Sequence, residues 1–370
     1  EAAVTGKEGD WIIRFNKTGK EYYFDGETIT KVTWKQEEDT ITNIETKQTL
    51  KVGDYVDYDP TLEANASDLT YTSKTDKTGA DSDQEFNAET YKNAEYGWRI
   101  LGVSKGKLRL KSGEFVGAGN YTNGSRTYYT LKGQKGYING IEELNKISAI
   151  FGHGKGAEKA TSITAEDINE ITGYDPATAK CEEGNFNEYG NKVTYTKEGE
   201  TKLSSSATNG QKWSGTQNTL NYYDKSNKTF KTLTSGSTQI TSTFYYYNPT
   251  TLNTKQEKPT QGVDENGVYN TIYQILFGKY AVNKDSYEIS FVGTGTQPRY
   301  WLASESALTV KNGVTWGLRR VNDGKVLNRG IFFSTGTEYS YDDYGVRPIV
   351  YLKSDISLEW NNTLQKWKIK

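Results

Sequence analysis

The chain has 370 residues, room for one large domain or two to three of ordinary size, and 45 basic against 47 acidic residues leave a net charge of −2. That balance, with no basic stripe, excludes the concentrated positive footprint of a general nucleic-acid binder. A single cysteine, Cys181, excludes an intrachain disulfide, and beside a single histidine, His153, it argues against any zinc site, which needs several such ligands. Hydrophobic residues make up only 34 %, but 28 Tyr, 12 Phe and 8 Trp supply large apolar area together with polar handles. No run approaches the ~20 apolar residues of a membrane helix, and no signal peptide is present. Methionine is absent even at position 1, so the expectation is a processed or trimmed chain whose export or anchoring segment would precede Glu1.

Residues 1–50 read as β structure: DWIIRF, EYYFDG, TITKVTW and TITNIET are short β-branched and aromatic runs divided by Gly- or Asp-containing turns. We expect a small β-rich N-terminal region over 1–50 and a second domain over 51–370, led in by the strand of KVGDYVDYDP. Polar sequence over 61–87, including SKTDKTGADSDQ, reads as a surface loop. Asp81, Asp83 and Glu85 alternate there as hard oxygen ligands for calcium would, but the EF-hand spacing and its Glu are missing. An ordinary solvated loop is the preferred reading; no cofactor is expected, and calcium is the one ion this loop could take.

YGWRILGVSKGKLRLKSGEFV (96–116) predicts two core strands joined at Lys105-Gly106. A helix follows in INGIEELNKISAIFG, where Ile141, Leu144, Ile147 and Ile150 form one apolar stripe and Gly152 serves as cap. His153, just past it in FGHGKG, suits a capping or exposed role better than catalysis. A second helix in SITAEDINEITG has Thr164 as its cap, Glu166 and Asp167 in its first turn, and Gly173 at its end. Residues 175–261 lose helical period and turn polar, with YGNKVTYT, GQKWSG and FYYYNP, and read as a loop-rich insertion with short hairpins. A third helix is predicted in ENGVYNTIYQILFG, on Val268, Ile272, Ile275 and Leu276. Strands then recur in SYEISFVG, YWLASES, GVTWGLRRV, GIFFST and YGVRPIVYL, with a turn at Asn322-Asp323-Gly324, and SLEWNNTLQKWKIK closes as a hairpin.

Three of these pieces resemble the C-type-lectin-like domains of exported and pilin-like clostridial surface proteins. They are GWRILGV…GKLRLKS, then YINGIEELNKISAIFGHGKGAEKATSITAEDINEITGYDP, then YWLASES…WGLRRVNDGKV…YGVRPIVYL, spanning residues 52–352. The ending is also similar to the variable region of diversity-generating retroelement target proteins, in which a lectin frame presents Asn-, Tyr- and Ser-rich positions to ligands. More distantly, through Gly345-Val346-Arg347, it resembles the formylglycine-generating enzyme fold. The implied fold class is α+β, C-type-lectin-like, with a long polar insertion and a small β-rich N-terminal region.

Carried onto this sequence, the resemblance makes Trp301, Leu302, Ala303, Ser304, Trp316, Gly317, Leu318, Arg319, Gly345, Val346, Arg347 and Pro348 a frame. It makes Asn322, Lys325, Leu327, Asn328, Arg329, Phe332, Ser334, Glu338, Tyr339, Tyr341, Asp342, Asp343 and Tyr344 the displayed, ligand-binding positions. Leu327, Arg329 and Phe332 depart from what an adenine-mutated cassette produces. Independently of any resemblance, rigid amphipathic Tyr among adaptable Ser, Gly and Asn suits recognition.

An enzyme reading would rest on the formylglycine resemblance, whose chemistry uses a cysteine pair with copper. Cys181 stands alone in AKCEEGN, followed by two glutamates that do not favour a thiolate. Glu142-Glu143 and Asp342-Asp343 are adjacent rather than facing, so no glycosidase dyad is legible. Arg319 and Arg347, each in an apolar strand context, read as internal pairing groups. The expectation is therefore a non-enzymatic ligand-binding or adhesion protein at a bacterial surface, extracellular, with a protein or glycan as partner and no nucleic acid. The alternative is a structural, pilin-like subunit of an extracellular filament, whose partners are further subunits. Anchoring to membrane or filament would need a segment absent from this chain.

Overall fold

The computed structural model describes residues 2–7, 10–73, 83–91, 97–112, 116–117, 122–123, 126–127, 129–172, 299–310, 313–322, 325–333 and 342–370, with short strands between 194 and 291. Among them β structure dominates and two α-helices occur. The N-terminal runs form two sheets. Strands β1 (Ala2–Lys7), β2 (Asp10–Phe15), β3 (Glu21–Phe24) and β4 (Ile29–Lys31) make an antiparallel meander in that order. Strands β5 (Trp34–Glu37), β6 (Thr40–Asn43) and β7 (Thr49–Lys51) make a second. The inner residues of this second sheet, Trp34, Ile41 and Leu50, are buried in the same hydrophobic cluster as the centre of the molecule.

That centre is a seven-stranded sheet. It uses β8 (Tyr55–Asp57), β11 (Trp98–Ser104), β12 (Lys107–Ser112), β14 (Ala157–Ser162), β19 (Pro348–Leu352), β20 (Leu358–Asn361) and β21 (Lys366–Ile369). Their spatial order is β14-β19-β12-β11-β8-β21-β20, with only β8 and β21 parallel. The C-terminal hairpin, expected from sequence, extends the central sheet beside β8. The β9 (Thr70–Ser73) and β10 (Gln84–Asn87) hairpin lies outside this sheet. The expected turn at Lys105-Gly106 closes β11 and β12, with Lys105 at φ 52° and Gly106 at φ 77°, the left-handed conformation that favours glycine.

Helix α1 (Gly133–Ala149) follows β13 (Tyr129–Leu131) and starts earlier than its apolar stripe predicts. The extra turns carry Gly136 and Gly140, where a Cβ would lie 3.3 Å from Ile331 and 2.9 Å from Leu318. Small residues there let the C-terminal strands sit close on the helix. Gly152 is no left-handed cap: α1 ends at Ala149, and Gly152 is needed because a Cβ would meet the Ala160 amide nitrogen at 2.9 Å. Helix α2 (Ala165–Thr172) begins as expected. The Thr164 hydroxyl accepts from the Asp167 amide at 2.9 Å, and the Asp167 carboxylate accepts from the Thr164 amide at 2.8 Å, a reciprocal cap.

The remaining element is a three-stranded antiparallel ribbon of β15 (Tyr300–Val310), β16 (Gly313–Asn322) and β17 (Lys325–Phe333), followed by β18 (Asp342–Tyr344), which pairs with β13. Between 194 and 291 the described strands pair locally, 212–217 with 240–245 and 219–224 with 229–234 among them. Cys181, Gly173 and the helix predicted at 265–278 lie outside the described residues.

Candidate functional site

The ending of the chain is built from buried anchors. Trp301, Leu302, Trp316, Leu318, Val346 and Arg347 are all at most 3 % exposed, and Ala303, Ser304, Gly317, Arg319, Gly345 and Pro348 are buried as well. The Trp301 amide donates to the Gly345 carbonyl at 2.8 Å, its indole donates to the Tyr129 carbonyl at 2.9 Å, and its ring packs edge-on to Tyr344 at 4.8 Å. Ser304 donates to Glu166 at 2.7 Å and accepts from the Ala165 amide at 2.9 Å, pinning β15 to the start of α2. In β16, a Cβ on Gly317 would fall 1.6 Å from the Arg329 carbonyl oxygen, so a β-bulge closes there only around glycine.

Arg347 belongs to a buried cationic layer. Its guanidinium lies 4.7 Å over Tyr300 and donates to the Ser112 carbonyl at 2.9 Å; the Lys111 Nζ donates to the same carbonyl at 3.0 Å. Arg99, the cross-strand neighbour of Lys111, donates to the Gly53 carbonyl at 3.1 Å and to the Tyr55 hydroxyl. Burial, then the charges of Arg347 and Arg99, hold the Lys111 amine well below its ordinary range. Arg319 and Arg347 are therefore interior groups, as their apolar context suggests.

The expected display face divides. Tyr344 is wholly buried, with Arg299 at 4.9 Å and Arg320 at 4.8 Å from its ring, and Phe332 is 2 % exposed and stacked with Trp316 at 6.2 Å. Both were expected on the surface and both belong to the interior. Tyr344 turns its ring onto Trp301 of β15 and Phe332 its ring onto Trp316 of β16, and local composition does not show which side of a strand will be covered in this way. Arg329 is half-buried opposite Leu318. Backbone positions are set for Asn322, Lys325, Leu327 and Asn328 in the β16–β17 hairpin, where Asn322 pairs with Lys325 and Asn328 with Arg319. Asp342 and Asp343 pair with Leu131 and Thr130. Ser334, Glu338, Tyr339 and Tyr341 lie outside the described residues.

Sequence reading missed a concavity at the N-terminal sheet. The first N-terminal sheet turns Ala3, Thr5, Ile12, Arg14, Glu21 and Tyr23 toward β5, the Lys105-Gly106 turn and Glu170 of α2, around a cavity of about 620 Å³. Cross-strand register explains the lining: Ala3 is opposite Arg14 and Arg14 opposite Glu21, while Thr5 is opposite Ile12 and Ile12 opposite Tyr23. Glu21 is buried, accepts from Arg14 and pairs with Lys35 at 2.7 Å. Burial raises its pKa, but the Lys35 and Arg14 hydrogen bonds outweigh that and hold the carboxyl below 4.5. Tyr23 and Trp34 line the cavity, but the Tyr23 hydroxyl and Trp34 indole nitrogen are closed off from solvent and have no hydrogen-bond partners, a state that costs roughly 1–3 kcal/mol per group.

The opposite face of this sheet carries Val4, Trp11, Ile13, Phe15, Tyr22, Phe24 and Ile29, by the same register. Val4 is 60 %, Phe15 45 % and Ile29 65 % exposed. The outward face is thus the more apolar, while the inward face mixes Ala3, Ile12 and Tyr23 with Thr5, Arg14 and Glu21, and the short β-branched and aromatic runs that predict these strands do not show which face turns outward.

Among the described residues no group of three or more His, Cys, Asp or Glu could hold a metal ion, and no helix is long and apolar enough to cross a membrane. Glu85 lies in β10, Asp83 just precedes it, and Asp81 is outside the described residues. Compared with protein-family models, curated proteins and solved structures, the chain matches none.

Proposed function

We propose that this chain is a non-enzymatic ligand-binding or adhesion protein of a bacterial surface. In this reading the second domain is an α+β, C-type-lectin-like scaffold and the polar, aromatic stretch between Phe332 and Tyr344 is its binding segment, with the β16–β17 hairpin beside it. The observation that carries it is the bracketing of that stretch by buried anchors. Phe332 and Tyr344 are interior, while Ser334, Glu338, Tyr339 and Tyr341 stand between them in the sequence. Rigid anchors at both ends reduce the ordering cost of a recognition loop. Its proposed partner is a protein or glycan, and the retroelement resemblance makes the same stretch the variable one.

The test separates face from frame. Tyr339→Ala with Tyr341→Ala should abolish binding to a glycan- or protein-array hit and leave stability within about 0.5 kcal/mol of the parent, as surface changes do. Tyr344→Ala should instead destabilise by about 3–5 kcal/mol, the cost of emptying a buried aromatic site. Retained binding in the double variant, or its unfolding, overturns the reading.

The structural-subunit alternative is favoured by one observation, the exposed apolar face around Val4, Phe15 and Ile29. Contiguous apolar patches above a few hundred Å² mark interaction sites. If copies of this chain associate through it, Ile29→Lys should abolish concentration-dependent association in sedimentation velocity. A parent that stays monomeric at every concentration removes this alternative.

A further inference from the structure

Strand β1 is one margin of the N-terminal meander, and among the described residues nothing hydrogen-bonds its side away from β2. Other strand edges are met. Gln48 donates to the Leu358 carbonyl of β20 at 2.8 Å, Asn145 accepts from the Ser162 amide of β14 at 3.0 Å, and the Gly106 carbonyl accepts from the Trp34 amide of β5 at 3.1 Å. Folded proteins guard open edges with lysine, proline or bulges, because a free row of N–H and C=O groups is a template for any strand that reaches it. From Ala2 to Gly6, β1 carries no charge and no proline, and its register with β2 is unbroken. Ala3, Val4, Thr5 and Gly6 are all exposed.

Two different surfaces flank this edge. Ala3 and Thr5 line the cavity of about 620 Å³, while Val4 stands on the apolar outer face. Side chains opposite one another in a sheet share a face, so a strand laid along β1 sends alternate side chains over the cavity and onto the outer face. Ala3 and Thr5 are small and leave their β2 neighbours, Arg14 and the exposed Ile12, within reach. Arg14 and Lys35 share the single carboxylate of Glu21 and remain half-exposed, which leaves one positive charge in excess on the side of Ala3. Glu37 and Glu170 line the walls formed by β5 and α2, across from β1. We propose that β1 is a strand-addition site for an extended peptide segment of another protein, paired antiparallel to it through main-chain hydrogen bonds. The segment carries an acidic side chain opposite Ala3, an aliphatic one opposite Thr5 and an apolar one opposite Val4. A second copy of β1 fits poorly, since by parity it offers only Ala3, Thr5 and Lys7 to the cavity, with no acid and no large apolar group.

The test uses the full chain and the fluorescein-labelled peptide Thr-Val-Ile-Val-Glu-Val-Thr, which sets Ile opposite Thr5 and Glu opposite Ala3. Anisotropy should show saturable binding below about 1 mM, the weak end of the affinity scale. Amide hydrogen exchange over residues 2–7 should slow in the complex. Two further versions are N-methylated on alternate residues, one along each edge of the peptide. One should bind and the other should not, because strand addition uses a single edge. Replacing the peptide's Glu by Lys should weaken binding about five-fold, the effect of one exposed charge pair. Arg14→Gln should remove that difference, and if it does not fold, Ala3→Glu, a change at an exposed position, should do the same. Absence of binding, unchanged exchange over 2–7, equal behaviour of the two N-methylated versions, or a Glu preference that survives the substitution overturns the proposal. Slow exchange over 2–7 in the free chain that quickens on dilution means that a second copy holds the edge, and overturns it as well. None of these measurements involves residues 333–343 or Ile29, so the readings proposed above stand or fall separately.

Discussion

Glu21 shows how this protein handles charge at the level of single side chains. Its carboxylate is buried, yet its partners Arg14 and Lys35 have side chains 57 % and 47 % exposed. Solvent therefore screens the pairs and limits their worth to about 1 kcal/mol. Because the folded pKa lies below the 4.5 of the free group, the ionised form favours the native state. That contribution is complete above the unfolded pKa and disappears as pH falls through the lower folded value. Glu21→Gln should therefore lower urea-unfolding stability by about 1 kcal/mol at neutral pH, with the difference from the parent closing below pH 4.5. A difference that persists in acid would mean that packing, not charge, sets the role of Glu21. Asp25 makes the exposed contrast: backbone hydrogen bonds from Thr28 and Glu27, then the Thr28 hydroxyl, hold it near a pKa of about 2 in a surface turn.

Among elements, the β16–β17 pair depends most on one residue. Gly317 sits where the register shifts between Trp316 and its neighbour, facing the Arg329 carbonyl. Gly317→Ala places a carbon inside contact distance of backbone that cannot rotate away. Overpacking of that kind costs about 1–3 kcal/mol where relaxation is partial. Thermal melting of Gly317→Ala should show at least that loss, and an unchanged melting point would mean the bulge relocates. Helix α1 gives the complementary lesson. Its apolar stripe at Ile141, Leu144, Ile147 and Ile150 was legible in the sequence, and Leu144, Ile147 and Ile150 are buried. Its first turns were not legible, because Gly136 and Gly140 lower helix propensity and their place in the helix is explained only by the close approach of Ile331 and Leu318.

For the molecule as a whole, the two N-terminal sheets differ in how they attach. Trp34, Ile41 and Leu50 of the second sheet share the main hydrophobic cluster, whereas no β1–β4 residue belongs to it. The Thr33 and Trp34 amides donate to the Gly106 carbonyl at 3.2 Å and 3.1 Å, and Gln36 accepts from the Val103 amide at 2.9 Å. Deleting residues 1–31 should therefore preserve a cooperative unfolding transition, at reduced stability. Deleting 1–51 removes Trp34 with its sheet and should cost more than the about 3–5 kcal/mol of one buried aromatic, enough to prevent cooperative unfolding in a chain of ordinary marginal stability. Equal behaviour of the two deletions in urea unfolding would contradict the difference in attachment.

Sequence by itself determined the local grammar of this protein. β-Branched and aromatic runs between turns marked β2 and β3, and the apolar positions of 96–116 marked β11 and β12; the Lys105-Gly106 turn, the Thr164 cap and the C-terminal hairpin followed from residue chemistry acting over a few positions. Arg347 was legible as an interior group from its apolar strand context, whereas Trp301 and Trp316 were expected as frame positions only through the resemblance. Only the tertiary structure decided which side of each strand meets the core. Alternation defines two faces without ranking them, and the ranking depends on what the chain brings against them from far away in sequence. That is why Tyr344 and Phe332 turned from display to interior, why the more apolar side of β1–β4 faces outward, and why Tyr23 and Trp34, unremarkable in EYYFDG and TITKVTW, line a cavity.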